Sequence, residues 1–265
     1  MLANNNEAII NKLAKNSVKT NKKQYAILFF TIILSAFMLF CVFTIGMTYL
    51  NSSRLQNTRL NGAEYDIVTM NGFTSEQLNT LQQNENIRSV GIESYAGFIQ
   101  STEYDKTVEI GLLWCDEVFW DNLMSPARTK LDGHYPQNKN ELMVTKDILK
   151  TCGNENLSVG DSLILTYENN TGVYTDEFVI SGIWDGYGDT SAGFVSKAFY
   201  DETGYDLQNN GILCIKLNCN YVFPTTIQSI EKSLDFSDRQ IFAPTGYIEN
   251  SFKLLLGICG LALVI

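Results

Sequence analysis

The chain holds a single histidine, His134, and four prolines, Pro126, Pro136, Pro224 and Pro244, in 265 residues. With one imidazole, any His-based triad or zinc site would have to be built around His134. That residue stands in Gly133-His-Tyr-Pro136 and reads as part of a turn. No G-x-x-x-x-G-K-[ST] phosphate loop occurs, so the chain is not itself a P-loop ATPase. There is no internal repeat, low-complexity tract or Pro-rich linker. Charge is missing from one long stretch: residues 25–50 carry no Asp, Glu, Lys or Arg.

That stretch is what the sequence does have. Crossing a hydrocarbon core of ~30 Å takes ~20 apolar residues in a helix, and residues 25–50 supply them with room for tilt. Thr31, Ser35 and Thr44 can bond back to their own helix and cost little in lipid. A cleaved signal peptide would have an apolar core of only ~7–15 residues and a small-residue cleavage site. Here Asn51-Ser-Ser-Arg-Leu-Gln56 follows instead. A retained transmembrane helix is expected. A second apolar run, Leu254–Ile265, begins after Lys253 and contains no charged residue. Twelve residues also suit a buried core helix, but this run is expected to be the start of a second span that the sequence cuts short.

Charge sets the expected orientation. Residues 1–24 carry five Lys against Glu7, a net +4, and the positive-inside rule keeps them cytoplasmic. Residues 51–252 hold 13 Lys+Arg and 28 Asp+Glu, a net −15, and are expected outside. The whole-chain −10 averages these opposite segments. Within the leader, Ile9, Ile10, Leu13, Ala14 and Val18 recur at helical spacing, with Lys12, Lys15 and Lys19 mostly off that face. This predicts an amphipathic helix on the inner membrane surface, against the alternative of a disordered basic leader.

The outer segment alternates in texture. Residues 62–70 read as a strand. Residues 73–83 read as a helix, with Thr74 as N-cap and Gln77 as its capping-box partner. Strands are expected at 87–100 and 106–114 around a polar turn at 101–105, then a short helix at 117–124. From about 125 to 200 the pattern is β-rich. A turn is expected at 131–136, a strand at 141–145, a helix at 147–152 closed by Gly153, and a turn and strand at 159–167. A hairpin turn at 169–172 and strands at 175–182 and 192–196 complete that region. The first texture resumes with a strand at 211–217, a helix at 225–234 and a strand at 239–243. One α/β unit is thus interrupted by a β insertion, and the expected class is α+β.

Few residues invite a chemical reading. Asp185-Gly-Tyr-Gly-Asp189 lacks the spacing and terminal Glu of a calcium loop and reads as a solvated turn. Cys115, Cys152, Cys214 and Cys219 face the outside and permit two disulfides in three connectivities, but free thiols are the better default. The four-residue gap between Cys214 and Cys219 is not a metal signature. Cys41 and Cys259 lie in the apolar runs. The acidic excess argues against nucleic acid. It is compatible with a cationic peptide ligand, although such an excess is usually a solvated face.

Two stretches resemble the N-terminal part of FtsX/MacB-type ABC transporter permeases, in the large-permease branch of Gram-positive bacteria. One is the basic leader from Asn6 to Lys23 running into the apolar helix. The other is Gly133-His-Tyr-Pro-Gln-Asn-Lys-Asn-Glu-Leu-Met-Val-Thr145, then Leu157-Ser-Val-Gly-Asp-Ser-Leu-Ile-Leu165, Phe178-Val-Ile-Ser-Gly-Ile183 and Phe194-Val-Ser196. The resemblance implies a two-lobed extracytoplasmic domain, an α/β lobe with an inserted β-rich lobe, between the first and second spans of a multi-pass protein in the cell membrane. It implies further spans and a separate cytoplasmic ABC ATPase, with the leader (Ile9, Ile10, Leu13, Lys12, Lys15) near that partner and residues 58–61 as the stalk. It implies no catalytic, cofactor-binding or metal residue, and no enzyme activity of the chain's own. The substrate stays open, a cationic peptide or a lipid-linked molecule among the choices. The competing expectation is a two-span sensor whose cytoplasmic signalling domain is absent from this sequence. A membrane-held ectoenzyme is weaker, for want of a nucleophile–base or metal constellation.

Overall fold

A computed structural model describes residues 7–100, 110–187 and 192–264. The chain divides into two compact units, Met1–Leu50 with Leu254–Ile265, and Asn51–Lys253.

In the first unit the leader forms α1 (Glu7–Thr20), as its periodicity predicts. Ile9, Ile10 and Leu13 are exposed on it. The apolar run falls within α2 (Lys22–Asn61), 40 residues long and the one described helix long and apolar enough to cross a membrane. Thr31 donates its hydroxyl to Ile27 O and Thr48 to Thr44 O, so these polar groups are satisfied inside the helix. The second run lies in the last helix, Gly246–Val264. The two apolar segments meet where a Cβ on Gly46 would come 2.6 Å from Ile258 Cδ1. Glycine lets the helices approach there.

The second unit is α+β, as the textures predict, and all its strands share one sheet. In chain order its elements begin with β1 (Ile67–Met70), α3 (Ser75–Gln82), β2 (Ile87–Ile99) and β3 (Ile110–Cys115). A single π-helical turn at Val118–Leu123 follows, then β4 (Arg128–Gly133), β5 (Glu141–Thr145) and α4 (Lys146–Thr151). Next come β6 (Ser162–Asn169), β7 (Gly172–Gly186), β8 (Ala192–Val195), α5 (Lys197–Tyr200) and α6 (Leu207–Asn210). The chain closes with β9 (Ile212–Leu217), α7 (Pro224–Lys232), β10 (Ile241–Pro244) and α8 (Gly246–Val264). The sheet order is β10-β1-β9-β2-β3-β8-β5-β7-β4, with β6 pairing β2 and β7.

The expected insertion is therefore one half of a continuous sheet. Its strands β8, β5, β7, β4 and β6 adjoin the α/β half by parallel pairing of β3 with β8 and antiparallel pairing of β2 with β6. Each half has a core. Ile67, Phe73, Leu81, Ile215, Ile227 and Ile230 belong to one, and Leu142, Val144, Ile148, Phe178, Ile180 and Val195 to the other.

Local signals that depend on near neighbours hold. Thr74 and Gln77 make the reciprocal capping box. The 169–172 hairpin turn joins β6 to β7. Two expectations need correction. Residues 128–133 form strand β4 rather than leading into a turn, because β7 offers them a ladder from Arg128↔Gly186 to Gly133↔Gly182. Residues 62–66 are not strand, since β1 starts at Ile67. The turn at 101–105 and residues 106–109 of the next strand lie outside the described residues. The two opposed glycines belong to the motifs that carried the family resemblance. Gly133 adopts φ +86°, and a Cβ on it would come 2.2 Å from Ser181 O. A Cβ on Gly182 would come 2.9 Å from His134 O. The close approach of β4 and β7 requires both to be small.

Candidate functional site

The site begins where α2 ends. Gly62 takes φ +70° just past Asn61, the left-handed step that stops a helix. The next residues are gripped by backbone bonds: Glu64 N donates to Leu123 O at 2.6 Å and Asp66 N to Ile215 O at 2.8 Å. The chain then becomes β1, whose partner on its open side is β10, in register from Ile67↔Pro244 to Met70↔Ile241. One residue beyond β10, Thr245 N donates to Asp66 O at 2.8 Å, and α8 starts at Gly246. The strand leaving α2 and the strand entering α8 are thus neighbours, and Asp66 is tied to the last residue before α8.

The Asp66 side chain ties the same point to β9. Its Oδ2 accepts Leu217 N–H at 2.9 Å and lies 3.2 Å from Lys216 Nζ. Lys216 also reaches Glu64 Oε1 at 3.2 Å. Both Asp66 and Lys216 are buried. Burial pushes the Asp66 carboxyl above its ordinary range, while Lys216 and the Leu217 amide pull the other way. A buried cation with two carboxylates is geometrically specific, since loss of Lys216 strands the buried Asp66 carboxylate away from water.

A second junction joins the two halves of the sheet. Tyr135, from the Gly-His-Tyr-Pro segment, places its hydroxyl 3.0 Å from Cys115 N, 3.2 Å from Cys115 O and 3.3 Å from Val195 O. It accepts from the first and can donate to the carbonyls, bridging the ends of β3 and β8. Trp120 and Phe194 pack on its ring with centroids at 4.9 and 6.0 Å. Beside it Glu93 is half-buried on β2, opposite Cys115 on β3 and Ile212 on β9. Burial pushes its carboxyl up to about 7.

The residues weighed from sequence are scattered. His134 is exposed and its Nδ1 lies 3.0 Å from Tyr135 O. Asp185 is exposed near the end of β7, and Asp189 lies outside the described residues. All six cysteines are free thiols, with Cys115 and Cys214 buried and Cys219 exposed. Cys115 and Cys214 sit on strands separated by β2, too far apart for a disulfide without backbone movement. Among the described residues no group of three or more His, Cys, Asp or Glu is placed to hold a metal ion. The stalk expected at 58–61 is the last turn of α2, where Thr58 is buried and the Arg59 guanidinium stacks 4.1 Å above the Tyr187 ring.

Sequence reasoning missed Asp66, Lys216 and Tyr135. The available hint was a lysine inside the otherwise apolar strand Ile-Leu-Cys-Ile-Lys-Leu.

No family model matches the chain, and no curated protein does. Solved structures do. The periplasmic region of MacB from Actinobacillus actinomycetemcomitans is 13% identical with a TM-score of 0.47, over 73% of this chain and 95% of that one. The extracellular domain of the noncanonic ABC-type transporter YknZ from Gram-positive bacteria is 13% identical with a TM-score of 0.43, over 68% and 98%. A domain of a putative permease protein from Porphyromonas gingivalis is 9% identical with a TM-score of 0.41, over 69% and 89%.

Proposed function

We propose that this chain is part of the membrane-spanning permease subunit of an ABC transporter, coupling a separate cytoplasmic ATPase to an extracytoplasmic domain. The observation that carries the reading is the Asp66 junction. A helix with the length and apolarity of a span leads into β1, and a helix with an apolar run leaves from β10. Those two strands are paired, and Asp66 ties them to Thr245 and Lys216. A shift of either helix end would therefore load the sheet edge directly. No catalytic group is needed for that task, and the chain is read as a transmitter rather than an enzyme. The basic leader at the other end of α2 is suited to the cytoplasmic surface, where ATP hydrolysis would be sensed.

The test is purification of the full-length protein from detergent-solubilised membranes of its own cells. The expected result is stoichiometric co-purification of a P-loop ABC ATPase with vanadate-sensitive activity. Retention of a histidine kinase or another signalling protein instead would contradict the permease reading, as would the absence of any ATPase.

A further inference from the structure

Phe223 occupies the N-cap position of α7, where Ser, Thr, Asp or Asn would accept an amide hydrogen. It makes no side-chain cap bond and is 61% exposed. This exposure is not slack in the loop. Val222 is buried in the core with Ile227, Tyr247 and Ile248, the Tyr221 phenol lies against that of Tyr247, and Pro224 sets the first turn of the helix. The Phe223 ring packs instead on Phe252 of α8, with centroids 4.7 Å apart and planes at 51°. Phe252 is itself only half-buried.

Phe252 stands two residues before Leu254, where the apolar run begins. At a helical rise of about 1.5 Å per residue it precedes that run by about 3 Å. The headgroup layer on each side of a bilayer is about 5–8 Å thick, so a ring at this level falls inside it. Lys253 adjoins Phe252, which places a cation where lipid phosphates would lie. The net −15 of residues 51–252 disfavours adhesion of the domain to an anionic surface by charge alone, and leaves ring insertion as the available contact.

We propose that Phe223 and Phe252 form an aromatic anchor that seats the loop entering α7 in the headgroup layer of the outer leaflet. Its occupant is a lipid surface. This rests on the reading of residues 25–50 and of the run from Leu254 as membrane spans.

The test reconstitutes the full chain in phosphatidylcholine vesicles carrying lipids brominated either near the headgroup or deep in the acyl chain. Trp114, Trp120 and Trp184 are all buried and provide a wild-type baseline to subtract. Phe223→Trp is expected to add blue-shifted emission that loses most of its intensity to the shallow bromines. Phe37→Trp, in the apolar part of α2, reports insertion and should lose most to the deep ones. Ile164→Trp, on the exposed face of β6, should lose none. If Phe223→Trp behaves like Ile164→Trp while Phe37→Trp is quenched, the anchor is wrong and the membrane reading stands. If Phe37→Trp is not quenched, the spans are wrong and the anchor falls with them.

Discussion

Lys216 Nζ lies 3.2 Å from Asp66 Oδ2, with the two side chains 6% and 2% exposed. The pair joins residues 150 apart in sequence and fixes the chain between α2 and β1. Replacing Lys216 by Met keeps the volume but strands the Asp66 carboxylate. The expected cost is about 3–5 kcal/mol, read by thermal or denaturant unfolding of the full chain in micelles. The double variant Lys216→Met, Asp66→Asn should recover part of that loss, and a purely additive outcome would show that the pair is not coupled.

Tyr135 leads to a second prediction. Tyr135→Phe removes the acceptor for Cys115 N–H and the donor to the Cys115 and Val195 carbonyls. A buried amide left unsatisfied costs about 1–3 kcal/mol. Amide exchange should rise at β3 and β8 before it rises at β1 or β10. Uniform acceleration across the sheet would show that Tyr135 does not hold this seam in particular.

Gly133→Ala forces a Cβ toward Ser181 O in a left-handed conformation. The strain is expected to cost about 1–3 kcal/mol and to release β4 from β7. Hydrogen exchange at residues 128–133 reads the release directly. Unchanged protection there would contradict the account of this glycine.

The pH dependence follows from Glu93. Its carboxyl titrates at about 7 in the folded protein, against an ordinary value of 4.5. Between those values the folded state binds more protons than the unfolded one, so this group's contribution to stability falls as pH rises. Asp66 and Asp116, also raised by burial, act in the same direction. Glu141 and Asp206 are lowered by local hydrogen bonds and act oppositely at more acidic pH. Unfolding free energy should therefore decline from pH 5 to 8, and Glu93→Gln should flatten that slope. An unaltered slope in the variant would place the titration elsewhere.

What the sequence made legible was local. The capping box from Thr74 to Gln77 and the 169–172 turn each span four residues, so each carries its whole cause within one short segment. The leader helix and the apolar run declare themselves by period and composition. Strand β4 does not: Arg-Thr-Lys-Leu-Asp-Gly has no buried face to alternate, being exposed along nearly its whole length, and only β7 makes it a strand. The continuity of the sheet rests on parallel pairing of β3 with β8, some eighty residues apart, and antiparallel pairing of β2 with β6, some seventy apart, which no local pattern encodes. Asp66, Lys216 and Tyr135 were hidden for the same reason, since each acquires its role from partners distant in sequence.

The central claim is that the edge of the sheet receives motion from the helix ends. The most direct measurement is hydrogen exchange of β1 and β10 in the full-length protein purified with the proposed ATPase partner, compared with and without ATP and vanadate. The account predicts altered protection at Ile67–Met70 and Ile241–Pro244 on nucleotide trapping, lost in Lys216→Met. Identical exchange in both states, with the ATPase bound and turning over, would contradict it.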